Sequence, residues 1–460
     1  MLFFDVEKHG NQCALITEQN ECISYSQLDH KIDEFIHSNL LFESNFKRLF
    51  LVEAKASAAF VVCYLACLRV GHSLLLLSPD SANQSRSAIL KSFKVNGVIY
   101  TNGSEPVVEE LSGNDLSIHA DLALLLATSG STGAPKYVRL SYRNLQANAE
   151  SISAYLPLTA DEVAITSLPL SYSYGLSILN SHLLAGACIV LSELSIMERQ
   201  FWDLMVEHSV TSFSGVPYSY SMLKRLNFKD KDLPNLRYMT QAGGKLAKTD
   251  ALYFNDCLTE KGRRFFIMYG QTEATARMSY VPPESLPEKA DSIGVAIPGG
   301  RFELIAEDGK IITDTDQIGE LVYYGDNVMM GYALSVNDLS KPSELNGLKT
   351  GDLAVKDNDG FMKIVGRKSR FIKLFGSRID LDQIERVMLT QKLEVACVGN
   401  DQQLHVFLND IAGLDEMKRY LHQQMSIHPS VIVGHQIDSF PRTASKKIHY
   451  ATLATLAGLS

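Results

Sequence analysis

Short apolar runs alternate with helical stretches over about the first 300 residues. Leu49-Phe50-Leu51-Val52, Leu74 to Leu77, Leu122 to Leu126 and Ala187 to Leu191 have the length and composition of buried strands. Tyr142 to Tyr155 and Ile196 to His208 carry the spacing of helices. Strands that alternate with helices in this way predict an α/β architecture with largely parallel sheets. From about Gly300 the texture changes to short strands separated by Gly and Asp turns: Arg301 to Ala306, Glu320 to Tyr324, Leu353 to Lys356 and Phe361 to Val365. Asp357-Asn358-Asp359-Gly360 marks a hairpin turn between the last two. A β-rich subdomain closing a large domain is the expected arrangement. The basic run Arg367-Lys368-Ser369-Arg370 then opens a terminal segment, so the domain boundary is expected there, dividing 1–366 from 367–460.

Length and composition agree with a folded protein of more than one domain. A chain of 460 residues exceeds one ordinary core, and 46% apolar with 21% charged residues is the balance of a globular protein. The most membrane-like segment, Ala58 to Leu68, is followed by Arg69 and is shorter than the ~20 residues a spanning helix needs. A buried helix followed by a strand is expected instead, with no membrane span. The start, Met1 to Gly10, carries Asp5, Glu7 and Lys8 and does not read as a signal peptide. Net charge is −9, unevenly spread. The segment 367–460 has 12 Lys and Arg against 9 Asp and Glu, while the preceding 366 residues have 31 against 43. An acidic body with a mildly basic end lacks the basic stripe of a nucleic-acid binder, and no nucleic-acid partner is expected. Seven cysteines, with no CxxC, argue against zinc or a disulfide framework and for a reducing cytoplasm.

One loop carries candidate chemistry. The strand ending at Ala127 runs into Thr128-Ser129-Gly130-Ser131-Thr132-Gly133-Ala134-Pro135-Lys136, with a helix expected beyond it. Glycine lets backbone N–H groups approach a ligand, hydroxyls donate hydrogen bonds and lysine adds charge, so such a loop can cradle phosphate. A plain polar turn accounts for it equally well. It is not a Walker A motif, because Ala134 and Pro135 separate Gly133 from Lys136 and no Gly-Lys-Ser/Thr is present.

This loop resembles the phosphate loop of the adenylate-forming superfamily, which includes acyl-CoA synthetases, peptide-synthetase adenylation domains and luciferases. Later segments resemble the family's other signatures, in the same order. They are Tyr269-Gly270-Gln271-Thr272-Glu273, Gly319-Glu320-Leu321 with Gly331-Tyr332, and Thr350-Gly351-Asp352-Leu353. Gly366-Arg367, Gly376-Ser377-Arg378-Ile379 with Glu385, and Pro441-Arg442-Thr443-Ala444-Ser445-Lys446-Lys447-Ile448 complete the series. The resemblance implies a large N-terminal domain of α/β subdomains with a small β-barrel-like subdomain, and a small mobile α+β C-terminal domain. It implies that a carboxylic acid is activated with ATP as an acyl-adenylate and passed to a thiol, either CoA or the phosphopantetheine of a separate carrier protein.

By the same resemblance Thr128, Ser129, Gly130, Ser131, Thr132, Gly133, Lys136 and Thr272 meet phosphate, and Glu273 holds Mg²⁺, since a carboxylate beside a triphosphate needs a cation between them. Tyr269, with Gly243, Gly244, Gly270 and Gln271, borders the nucleotide. Asp352 accepts from the ribose hydroxyls, Arg367 reaches the ribose, and Lys447 is the catalytic lysine. Gly376 and Arg378 border the thiol channel. Gly331 and Tyr332 are expected to pack.

The chain departs from the family at two places. Ser369 stands where the hinge is commonly Asp or Lys, and Lys446 replaces the glycine before the catalytic lysine, so two lysines compete for one role. Pro169-Leu170-Ser171-Tyr172-Ser173 aligns with the acyl pocket, as do Gly215, Tyr218 and Tyr220. Amino-acid-activating members place an Asp where this chain has Ser173, and a buried ammonium without a counter-charge is costly, so an amino acid is disfavoured. A small polar or aromatic acid fits the tyrosines, which could equally just pack with their hydroxyls satisfied. A catalytically dead, nucleotide-binding relative is the remaining alternative.

Overall fold

The computed structural model describes the chain except residues 1, 43–45, 80–82, 102, 112–115, 129–135, 157, 369, 375–376, 426, 444–445 and 460, and except the side chains of 83–85, 371, 373, 377 and 378. Ser129, Gly130, Ser131, Thr132, Gly133, Ser369 and Gly376, together with the Arg378 side chain, therefore lie outside the described residues.

The apolar runs become the centres of two sheets. One has the strand order Gly331–Ala333, Lys136–Ser141, Leu122–Thr128, Ser73–Leu77, Leu49–Glu53, Gly97–Tyr100, Val107–Glu110. Its four inner strands, from Leu122–Thr128 to Gly97–Tyr100, pair in parallel, and antiparallel strands flank them. Burial of Leu74, Leu75 and Leu76 to 2% exposure or less shows why these strands read as continuous apolar runs: both faces are covered. The second sheet runs Val295–Ala296, Ser279–Val281, Arg264–Tyr269, Tyr238–Gln241, Ser212–Gly215, Val163–Ile165, Cys188–Val190, Cys13–Ile16, Cys22–Ser24, and is parallel from Arg264–Tyr269 to Cys13–Ile16. The α/β expectation holds.

The membrane-like segment is the helix Ala58–Arg69, whose residues Ala59 to Leu68 are all buried. Among the described residues no helix is long and apolar enough to cross a membrane. The helix Tyr142–Tyr155 has the expected bounds, and the Ser141 side chain accepts from Asn144 N–H in a capping box that fixes its start. The helix Ser173–Ala185 is apolar nearly all round, with Ser173 to Leu183 buried throughout, and it closes on Gly186 in the left-handed conformation (φ 76°).

Two expectations are corrected. The loop after Thr128 returns as a strand, Lys136–Ser141, antiparallel to Leu122–Thr128 with Thr128 opposite Lys136; the helix begins only after that strand. The cysteine reading fails at one pair: Cys13 and Cys22 lie on adjacent antiparallel strands and are joined in a disulfide, with Cα atoms 6.0 Å apart. Cys63, Cys67, Cys188, Cys257 and Cys397 are buried free thiols.

By proximity the chain divides into two units: Met1–Thr128, Pro135–Phe302 and Tyr323–Leu348 form one, and Glu303–Val322 with Lys349–Ser460 form the core of the other. The second contains most of a five-stranded sheet ordered Ile311–Ile312, Arg301–Ile305, Gly319–Tyr324, Leu348–Lys356, Met362–Arg367. Its last hairpin turns through Asp357 to Gly360, where Gly360 N–H donates to Asp357 O at 3.1 Å. The same unit holds a two-stranded ribbon, Phe371–Leu374 with Ser377–Asp380, and a three-stranded sheet of Val395–Gly399, Leu404–Leu408 and Ile432–Gln436. Helices Leu381–Thr390 and Leu414–Met425 contribute Ile384, Met388, Met417 and Leu421 to one core with these strands. This is an α+β assembly.

Candidate active site

In the first unit a connected set of side chains forms where strands of both sheets end. Strand Arg264–Tyr269 gives way at Gly270 to a single 3-10 turn, Thr272–Ala274. Gly270 has to be glycine, since a Cβ there would lie 1.8 Å from Ala276 O. The turn is held from behind: Asn327 Nδ2 donates to Ala274 O (2.9 Å) and to Arg277 O (3.0 Å), and Thr275 Oγ1 donates to Asn327 O at 2.7 Å. Two side chains are thereby presented on a fixed backbone. Thr272 Oγ1 is 3.2 Å from Ser173 Oγ, at the start of the helix Ser173–Ala185. Glu273 Oε1 accepts from Tyr332 Oη at 2.8 Å.

Tyr332 does more than pack. It sits on the edge strand Gly331–Ala333, paired with Lys136–Ser141, and the Lys136 ammonium lies 5.7 Å over its ring. One tyrosine thus links Lys136, at the end of the loop expected to hold phosphate, to the carboxylate of the Thr272–Glu273 turn. Burial and the Glu273 carboxylate both push the Tyr332 phenol well above its usual range, so it stays a hydrogen-bond donor. Sequence reading missed this role, because a tyrosine after a glycine in a short strand has no distinguishing pattern.

The opposite flank holds the residues aligned with the acid. Tyr172 caps the N-terminal end of the buried helix, and its hydroxyl comes so close to Gly243 that a Cβ there would meet it at 2.6 Å. Gly243 also has φ +86°, so glycine is required twice over. Gly244 abuts Pro217, and a Cβ on Gly215 would crowd Ser219 at 3.0 Å and the Tyr220 ring at 3.1 Å. Tyr218 is half-buried at the start of the helix Pro217–Arg225. Its neighbour Tyr220 belongs to the core: fully buried, it donates to Thr240 O at 2.8 Å and packs on Phe254 and Phe265. For Tyr220 the packing alternative is the right one. Gln271 Nε2 donates to Tyr269 Oη at 3.3 Å, fixing that ring beside the turn.

In the second unit Asp352 and Arg367 are cross-strand partners. Asp352 is 2% exposed and accepts from Arg367 Nε at 2.8 Å, whereas half of the Arg367 side chain faces solvent. Lys447 is exposed in a tight loop bridged by Arg442 and Ile448. Its N–H donates to Thr443 Oγ1 (3.2 Å) and its O accepts from Thr443 N–H (2.8 Å). Lys446 adopts φ +62°, the conformation that glycine takes without cost. Glu385 is buried against Arg370 (2.6 Å), Cys397 N–H (2.7 Å) and Tyr450 Oη (2.8 Å), and it supports the fold of this unit.

The AMP-binding enzyme family model matches residues 2–333, well over half of the chain. The chain belongs to the AMP-binding enzyme family. Among curated relatives this AMP-binding enzyme is 29% identical to an oxalate–CoA ligase of Arabidopsis thaliana, over 69% of the chain and 64% of that protein, slightly under two thirds of its length. It is 27% identical to a 2-succinylbenzoate–CoA ligase of Bacillus pumilus, over 83% of the chain and 82% of that protein. Its fold matches o-succinylbenzoate CoA synthetase from Bacillus subtilis solved with an acyl-adenylate intermediate, at TM-score 0.80, 22% identity and 98% coverage of each chain. An anthranilate CoA ligase solved with anthranoyl-AMP matches at TM-score 0.79 and 17% identity, over 99% of this chain and 97% of that one.

Proposed function

We propose that this enzyme activates a small carboxylic acid with ATP as an acyl-adenylate and transfers the acyl group to the thiol of CoA. The observation that carries the reading is the continuous set Lys136, Tyr332, Glu273, Thr272 and Ser173, which joins the phosphate loop to the acid-side residues Tyr172 and Gly243.

A carboxylate is a poor acyl donor because its leaving group is an oxide. In the first step an oxygen of the acid attacks the α-phosphorus of ATP and pyrophosphate leaves, converting the oxide to AMP. That step gains chiefly from positioning and from neutralising phosphate charge. Thr128 to Lys136 and Thr272 hold the pyrophosphate end in this reading, and Lys447 meets the charge developing at the α-phosphate. Gly243, Gly244, Tyr269, Gly270 and Gln271 border the base. Asp352, acceptor-only when ionised, and Arg367 take the ribose hydroxyls. Glu273 fits a hard divalent cation: Tyr332 occupies one of its oxygens, and a carboxylate offers further lone pairs. Mg²⁺ held there would screen the phosphates from the carboxylate. In the second step the thiol attacks the acyl carbonyl and AMP leaves, with Gly376 and Arg378 lining the thiol's path. Movement of 367–460 about Ser369 would exchange the two sets of residues.

ATP and CoA are cytoplasmic metabolites, and we place the enzyme there. A carrier protein is the alternative acceptor, for which the mildly basic 367–460 segment is suited. Carboxylate-dependent exchange of labelled pyrophosphate into ATP, run over a panel of acids, tests the first step. Exchange with at least one acid is expected. ATP binding without exchange for any acid would instead make the protein a nucleotide-binding module. CoA and a phosphopantetheinyl carrier protein, compared as acceptors, decide the second step.

A further inference from the structure

Two arginines in the first unit are buried, and they are treated differently. Arg139 has a carboxylate, Glu344, at 2.7 Å, and backbone carbonyls around it. Arg277, 2% exposed, has none among the described residues. Its Nη1 donates to Tyr155 Oη (3.0 Å) and reaches Met268 Sδ (3.3 Å), the Tyr174 ring lies 4.9 Å from its Cζ, and its Nε has no partner.

A guanidinium does not lose its proton at any ordinary pH, and a buried charge without a counter-charge is costly. The surrounding groups do not supply one. Burial pushes the Tyr174 phenol up to about 12 and the Tyr155 phenol upward as well, so both remain neutral. His182, whose Nε2 is also unpartnered, is held neutral by burial and by Arg277 itself, with its pKa lowered to about 4. Among the described residues nothing supplies the missing anion, and a bound ligand is the remaining source the site offers.

The position of Arg277 indicates which anion. Met268 immediately precedes Tyr269, and Tyr174 follows Ser173, whose hydroxyl meets Thr272. Tyr174 Oη bonds Thr240 Oγ1 (2.8 Å), which bonds Ser214 Oγ (2.8 Å), next to Gly215. The guanidinium therefore lies among the residues that take the acid in the proposed function, on which this inference rests. We infer that the acid carries a second anionic group, a carboxylate, and that Arg277 is the residue that selects it. The carboxylate to be adenylated is then directed to the α-phosphorus, and the other pairs with Arg277.

The test compares dicarboxylic acids with their own half-amides or half-methyl esters in pyrophosphate exchange on the unaltered enzyme, which requires no variant to fold. The diacid is expected to exceed its neutralised partner in kcat/KM by roughly 100-fold, as for a buried charge pair left without one member. Arg277→Met, checked for folding by circular dichroism, is expected to abolish that ratio while keeping exchange with the half-amide; Arg277→Lys should restore part of it. Exchange that is equal for diacids and half-amides overturns the role of Arg277 and leaves the ligase reading intact. No exchange with any acid overturns the ligase reading, and this inference with it.

Discussion

At the scale of single residues, the terminal lysines show how a departure from a pattern is read through backbone geometry. Lys446 takes φ +62°, where an L-residue is disfavoured by about 1 kcal/mol and glycine is not. It therefore occupies a glycine's place in the turn, and Lys447 keeps the register of a catalytic lysine. Lys447→Ala is expected to lower pyrophosphate exchange by roughly 100-fold or more. It should lower thioester formation from preformed acyl-adenylate far less. Lys446→Gly should leave exchange within about threefold of the parent, since it removes an exposed charge and puts glycine where the backbone already suits it. Equal losses in both half-reactions for Lys447→Ala, or a loss confined to Lys446→Gly, would reverse the assignment. Tyr332 marks the limit of reading residues one at a time. Its value lies in joining Lys136 to Glu273 across a strand pair, a relation absent from local sequence. Arg277 was missed for the same reason: what sets it apart is burial without a carboxylate partner among the described residues, visible only once the fold is known.

At the scale of elements, buried runs and helices were legible because their apolar pattern is local. Ala58–Arg69, Tyr142–Tyr155 and Leu122–Thr128 follow from it within a residue or two. The strand Lys136–Ser141 was not legible, because Arg139 at its centre looks like a surface charge. Glu344 neutralises that charge from 205 positions away, a tertiary pairing with no local signature. Glu385 presents a comparable case in the second unit, with consequences for the lysine loop. Tyr450 opens the helix Tyr450–Leu456 directly after that loop, donates to Glu385 at 2.8 Å, and lies under the Arg370 guanidinium at 3.7 Å. Burial raises the Glu385 pKa while Arg370 opposes the shift, so the Tyr450 bond offsets part of a desolvation cost. Tyr450→Phe keeps the ring over Arg370 and removes only that bond. Its expected cost is about 1 to 2 kcal/mol, seen as roughly tenfold faster amide hydrogen exchange across 441–456. Unchanged exchange there would mean that the helix is anchored by its apolar side chains alone.

At the scale of the molecule, burial lowers the pKa of three histidines of the first unit, His9 and, most strongly, His72 and His182, so its stability depends on pH. His72 is 1% exposed between Phe42 and Phe50, with Nε2 on Leu41 O (3.2 Å) and Nδ1 accepting from Arg48 N–H (3.4 Å). Burial first, with Arg48 and Lys47 adding to it, lowers its pKa to about 4. His182, on the buried helix Ser173–Ala185 with Nδ1 on Ile178 O (2.8 Å), is lowered to about 4 by burial and by Arg277. Both values lie below the ~6.5 of an unfolded histidine, so the unfolded chain binds more protons and stability rises with pH between about 4 and 6.5. The stabilisation is complete above the unfolded pKa and is lost as pH falls through the folded one. Between pH 7 and pH 5 His72 and His182 should each cost about 2 kcal/mol, so the unit should be markedly easier to unfold at pH 5. Trp202, the one tryptophan of the chain, lies in this unit and reports its unfolding by fluorescence. Urea titrations at pH 7, 6 and 5 should show a falling midpoint at constant slope. Replacing His72 by Phe should flatten about half of that dependence, because the neutral ring already sits in an aromatic cage and Phe has no proton to gain. A midpoint that does not move between pH 7 and 5 would require both rings to be charged in the folded protein, which contradicts their burial.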